Sequence, residues 1–113
     1  MFANACRMFA IACMTVALAG CMTQERYQTV STALEGSAAL RAKTIKECTR
    51  SEWNPKTTES LALVMDVSEN KVPHLACQRV VNAIASGKLS YEDLEKVRQG
   101  NITAKIVRIM QDR

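Results

Sequence analysis

The side chains best suited to metal binding or nucleophilic chemistry are one histidine and five cysteines. His74 and Cys77 are spaced i,i+3, which places them on one face of a helix, and Cys48 could join them. A structural zinc site needs four nitrogen or sulfur ligands, whereas this set supplies three. The spacing therefore does not favour a metal site.

Motifs for catalysis are also sparse. Nucleophilic catalysis needs a base beside a serine or cysteine, and His74 is the only histidine. Acidic side chains cluster at Glu92, Asp93 and Glu95, but they follow Ser90 in the first turn of a predicted helix, where the helix dipole stabilises negative charge. Only five aromatic residues are present, too few for a deep aromatic-lined pocket. The sequence predicts a protein that is not an enzyme and has no cofactor.

An apolar segment lies near the N-terminus. The 13 residues from Met8 to Gly20 carry no charge and follow Arg7, and a helix that spans a bilayer needs about 20 residues. This length is typical of the apolar region of a secretory signal. The segment ends in Leu18-Ala19-Gly20-Cys21, which is an aliphatic residue, two small residues and a cysteine.

In this motif the chain resembles the precursors of bacterial lipoproteins. The resemblance implies that residues 1–20 are a signal peptide that is removed, and that Cys21 is the first residue of a mature chain of 93 residues. It also implies a diacylglycerol on the Cys21 thiol and, usually, a further acyl chain on its amino group. An ordinary secretory signal with an unmodified Cys21 is the alternative.

The lipoprotein interpretation determines how the other cysteines are read. Cys6 and Cys13 lie in the removed segment, so Cys48 and Cys77 are the two thiols left in the folded body. An even number of cysteines in an exported chain indicates a disulfide. Closing a loop of about thirty residues would stabilise the fold by about 3 to 4 kcal/mol. Two buried free cysteines are the alternative.

The elements that carry these residues are predicted to be helices. Residues 21–25 form a short tether, and residues 26–113 form the domain. Apolar residues at steps of three and four, together with capping and stop signals, predict helices over about 24–51 with a bend or break at Gly36, over 58–67, from Pro73 to Gly87, from Ser90 to Gly100, and from 102 or 103 onward. A strand is the alternative for 58–67. The fold class is therefore all-α, a small bundle of four to five helices with one disulfide.

Basic residues are concentrated at the C-terminus. Removal of Arg7 with the signal peptide leaves 14 basic and 11 acidic side chains. Five of the basic residues lie from residue 96 onward, against Asp112 alone. Lys96, Arg98, Lys105 and Arg108 are candidates for contact with an anionic surface such as lipid headgroups. A solvated helix face is the alternative, and nucleic acid is not expected for an exported body.

These features predict a non-catalytic envelope lipoprotein that presents a small helical domain to a protein partner or an envelope complex. The membrane is contacted through the N-terminal lipid. The residue that follows Cys21 is Met22 and not an aspartate. For a lipoprotein of this kind, the resemblance then implies the outer membrane, with the body facing the periplasm. A small periplasmic enzyme or enzyme inhibitor is the alternative. An exposed apolar groove between the last two helices would favour partner binding, and a concave site joining His74 to a carboxylate would favour an enzyme.

Overall fold

The computed structural model of the protein describes residues 22–113, so the predicted signal peptide and the predicted lipidation site, Cys21, lie outside the described residues. Within residues 22–113 the chain forms six α-helices, one 3-10 turn and no strand. The helices are α1 (Gln24–Gly36), α2 (Ala38–Arg50), α3 (Pro55–Met65), α4 (Val72–Ser86), α5 (Tyr91–Arg98) and α6 (Ala104–Met110), and the 3-10 turn spans Glu69–Lys71. The all-α prediction is confirmed, with one helix more than expected.

The additional helix comes from a break in the segment predicted as one long helix. Ser37 has an extended backbone conformation and its hydroxyl accepts a hydrogen bond from the Leu40 N–H at 3.1 Å, which caps α2. The Arg41 guanidinium donates to the carbonyls of Leu34 and Glu35 at 2.6 and 2.9 Å. Because these carbonyls end α1 without helical partners, the break is stabilised on both sides.

The third helix begins earlier than predicted and is not a strand. Pro55 is its first residue, and the Asn54 side chain accepts from the Lys56 N–H at 2.9 Å. Proline is favoured at this position because its missing N–H would have no helical partner. The helix ends at Met65, and the residue that follows, Asp66, has a φ of 56°, which lies in the left-handed region.

The fourth helix is the centre of the bundle. It packs against α1 and α2 on one side and against α3 and α6 on another. The predicted bridge is confirmed, because Cys48 on α2 and Cys77 on α4 form a disulfide with an S–S distance of 2.08 Å. Both Val72 and Cys77 on α4 are fully buried, so this helix supplies the most enclosed part of the core.

Candidate docking surface

An apolar groove of about 370 Å³ lies between α3 and the last two helices. All but one of its lining residues, Ser60, have apolar side chains. They come from α3, α4, α5, α6 and the segments that flank α5, and include Leu61, Val64, Val80, Leu89, Leu94, Val97, Ile106 and Val107. The lining therefore offers aliphatic contact and no charge.

The groove separates α5 from α3 because the two helices belong to different parts of the bundle. The fifth helix packs against α1, whereas α3 packs against α4 and α6. The last two helices have only eight and seven residues, and the chain between them turns at Gly100, whose φ is 84°. The left-handed conformation at this position favours glycine. Helices α3 and α5 thus form facing walls with a recess between them.

Large aliphatic side chains are exposed in this recess, at Val64 and Ile102, and elsewhere on α3, at Leu63. The Leu63 side chain on α3 is 79% exposed, and Ile102, just before α6, is 63% exposed. Val64, which lines the groove, is 36% exposed. The final helix was predicted to begin at residue 102 or 103, and it begins at Ala104, so Ile102 lies just outside it. An exposed apolar recess is typical of an interaction site.

An ion pair fixes the relative position of α5 and α6 beside the groove. Asp93 is buried at 7% exposure, and its Oδ2 accepts from the Lys105 Nζ at 2.6 Å and from the Ser90 N–H at 2.9 Å. The Ser90 hydroxyl in turn accepts from the Asp93 N–H, completing a capping box. The hydrogen bonds from Lys105 and the Ser90 N–H lower the pKa of Asp93 to about 2.

The four basic residues predicted to meet an anionic surface differ in their surroundings. Arg98 pairs with Glu95 at 2.8 Å and Lys105 pairs with Asp93, so two of the four cations are balanced. Lys96 and Arg108 are exposed, and neither takes part in a salt bridge within residues 22–113. The described helices therefore carry less uncompensated charge here than the sequence indicates, and contact with an anionic surface stays a prediction.

The start of the described chain is bound to the bundle. The Thr23 side chain caps α1, which begins at Gln24, so two of the predicted tether residues are helical. The Tyr91 hydroxyl donates to the Met22 carbonyl at 3.0 Å. The Tyr27 hydroxyl donates to the carbonyl of Leu89, and burial raises the pKa of this phenol, with a smaller contribution from the negative charge of Asp93. Residue 22 is thus held beside the first turn of α5.

His74 does not lie in a catalytic arrangement with a carboxylate. It is exposed on α4 and contributes to a shallow hollow in which Lys46 and Arg50 are the charged lining residues. Cys48 and Cys77 are joined to each other, so neither is a thiolate ligand. Across the described part of the chain, no three histidine, cysteine or acidic residues lie close enough together to hold a metal ion.

One sequence spacing was not considered among the candidate catalytic motifs. Ser68 and Lys71 have the S-x-x-K spacing of some serine nucleophiles, but both are exposed at the 3-10 turn and the Ser68 hydroxyl donates to Asn70.

A polar cleft of about 430 Å³ lies between α4 and the C-terminal residues, with Arg79, Lys88 and Arg113 among its lining. The cleft was not foreseeable from periodicity, because its residues come from distant parts of the chain.

Comparison of the chain with protein-family models, with curated proteins and with solved structures gives no match. No helix within residues 22–113 combines the length and apolar character needed to cross a membrane.

Proposed function

We propose that the protein is a lipid-anchored bacterial envelope protein whose helical body is non-catalytic and binds a protein partner through the groove between α3, α5 and α6. The observation that carries this proposal is the groove itself, with its apolar lining, in which the Ile102 side chain is 63% exposed. A partner that supplies aliphatic side chains would remove this surface from water.

The lipid anchor is supported by the Leu18-Ala19-Gly20-Cys21 motif and by the way the body begins. Only Met22 and Thr23 separate Cys21 from α1, and two extended residues span about 7 Å. Because Tyr91 binds the Met22 carbonyl, the first turns of α1 and α5 would lie at the membrane surface. Two lipid signals suffice for stable attachment, and the class implied by the motif usually carries more.

The proposed location is the outer membrane, with the body facing the periplasm. The disulfide between Cys48 and Cys77 supports an oxidising compartment, since such bonds are rare in the cytosol. The position of Met22 after Cys21 supports the outer membrane over the inner membrane, as the lipoprotein resemblance implies.

The anchor is tested with two cysteine variants of the full precursor in living bacteria. Cells are fed an alkyne analogue of palmitate, and the labelled protein is followed through membrane fractionation and N-terminal mass analysis. Cys21→Ser should lose the label and accumulate uncleaved. Cys13→Ser, a cysteine change eight residues upstream in the same segment, should be labelled and processed normally. A Cys21→Ser protein that is processed and membrane-bound like the wild type would rule out lipidation.

The alternative of an enzyme or enzyme inhibitor finds less support. The hollow that contains His74 is lined by two cations, Lys46 and Arg50, and not by the carboxylate that a histidine base would need as an orienting partner. The groove favours partner binding because its lining lacks charged residues and nearly all other polar side chains.

A further inference from the structure

The polar cleft between α4 and the C-terminal residues is a second recess, separate from the groove. The two share one lining residue, Ile109. Pockets that bind small molecules have volumes of about 300 to 1,000 Å³. The cleft, at about 430 Å³, is therefore large enough for a small ligand.

Cations predominate among the charged side chains of this cleft. Arg79, Lys88 and Arg113 are basic, and Asp112 is the one acidic side chain in the lining. None of these four side chains forms a salt bridge within residues 22–113. The buried side chain of Ile109 adds an apolar wall. Charges of one sign beside a wall of low dielectric constant attract ligands of the opposite sign.

The Arg79 side chain is held in place within the cleft. It is half-buried, and its Nη1 donates to the carbonyl of Met110 at the end of α6. A guanidinium carries five N–H groups in a planar fork, so this bond leaves other donors for a ligand. The fork matches two oxygens of a carboxylate or a phosphate. Because the carbonyl already positions the side chain, less rotamer entropy is lost when a ligand binds.

Two side-chain amides extend the polar surface of α4 beside Arg79. Gln78 and Asn82 are four residues apart, so they lie on one face of the helix, and both are exposed lining residues of the cleft. Each amide has two N–H donors. They can donate to a ligand whose anionic group is bound by the guanidinium.

We propose that this cleft binds a small organic anion whose carboxylate or phosphate group pairs with Arg79. Lys88 and Arg113 attract the same negative charge, and Gln78 and Asn82 donate to the ligand. The proposal goes beyond partner binding through the groove and does not depend on it.

Titration of the full chain, followed by nuclear magnetic resonance, tests the site. The isotope-labelled protein in zwitterionic detergent micelles is titrated with succinate, which carries carboxylates, and with glycerol phosphate, at constant ionic strength. The side-chain N–H signals of Arg79, Gln78 and Asn82 should move to a plateau with at least one of these two anions. Sodium chloride at the same ionic strength should not move them.

Four variants separate binding from folding. Arg79→Gln should weaken binding at least about tenfold, because a charged donor is lost. Lys88→Gln leaves the bond from Arg79 to Met110 in place and should weaken binding about twofold to fivefold. Asp112→Asn should tighten binding by a similar factor, which a folding defect would not produce. Arg26→Gln is the control, since Arg26 is an exposed arginine on α1 outside the cleft, and it should leave binding unchanged.

Shifts that grow without a plateau for both anions, or that are equally large in Arg79→Gln, would overturn the site and indicate an adventitious ion only. A plateau with micelles that contain phosphatidylglycerol, but with neither small anion, would overturn it in favour of contact with lipid headgroups. Because the cleft and the groove share only Ile109, neither result would count against partner binding.

Discussion

Substitution of Asp93 tests how the last two helices are held together. Its Oδ2 accepts from the Ser90 N–H at 2.9 Å within the capping box and from the Lys105 Nζ at 2.6 Å across to α6. Asp93→Asn would retain a side-chain oxygen for Ser90 but remove the charge that faces Lys105. Asp93→Ala would remove both interactions. The two variants therefore separate the ion pair from the helix cap.

The expected loss in the free energy of unfolding follows from the lowered pKa of Asp93 and from its hydrogen bond in the helix cap. A carboxyl whose pKa falls from 3.8 to about 2 on folding gains about 2 kcal/mol at neutral pH. Since the Lys105 side chain is 46% exposed, solvent screening reduces this to about 1 kcal/mol. Loss of a capping hydrogen bond costs about 1 kcal/mol more. We expect losses in the free energy of unfolding of about 1 kcal/mol for Asp93→Asn and about 2 kcal/mol for Asp93→Ala.

The assay is urea unfolding of the disulfide-bonded protein as a function of pH. The pKa of Asp93 is lower in the folded than in the unfolded protein, so its contribution is complete above the unfolded value of 3.8 and is lost as the pH falls towards 2. The difference between wild type and Asp93→Asn should be constant from pH 7 to about 5 and should shrink below pH 4. Glu92→Gln, an exposed acid in the same turn, is the control. A difference independent of pH would refute the ion-pair argument.

Three further predictions concern other contacts. Reduction of the Cys48–Cys77 disulfide, which closes a loop with a sequence separation of 29, should lower the free energy of unfolding by about 3 to 4 kcal/mol in a urea titration; an unchanged midpoint would contradict this. Tyr91→Phe should remove the hydrogen bond to the Met22 carbonyl and speed amide exchange in the first turn of α1, with a loss of stability of about 1 kcal/mol. Arg41→Ala should cost about 1 to 2 kcal/mol in thermal or urea unfolding, because two carbonyls at the end of α1 lose a charged donor; a loss near zero would show that water replaces the guanidinium.

The helices were predictable where local signals determine them. Ser90 followed by acidic residues predicted the capping box of α5, and Gly87 predicted the end of α4. The start of α3 was predicted at residue 58, three residues after its actual start at Pro55. Proline disfavours a helical conformation at the residue before it and is favoured as the first residue of a helix, so Pro55 both separates α3 from the preceding segment and opens α3.

The docking surface was only partly predictable. The sequence predicts that an exposed apolar groove between the last two helices would favour partner binding, but it does not indicate that α3 forms one wall of the groove. Periodicity identifies which residues of one helix share a face. It does not reveal that α5 packs against α1 and leaves α3 uncovered, because that depends on contacts such as the one between Tyr27 and Leu89.

The groove is a defined recess because its walls are fixed by polar contacts outside it. Hydrogen bonds from Tyr27 and Tyr91 hold the start of α5 to α1, and the pair of Asp93 and Lys105 holds α5 to α6. A groove lined by aliphatic side chains would otherwise tend to close, since closure buries apolar surface. These contacts keep the recess available and leave Ile102 exposed within it, an arrangement that suits a partner with an apolar surface.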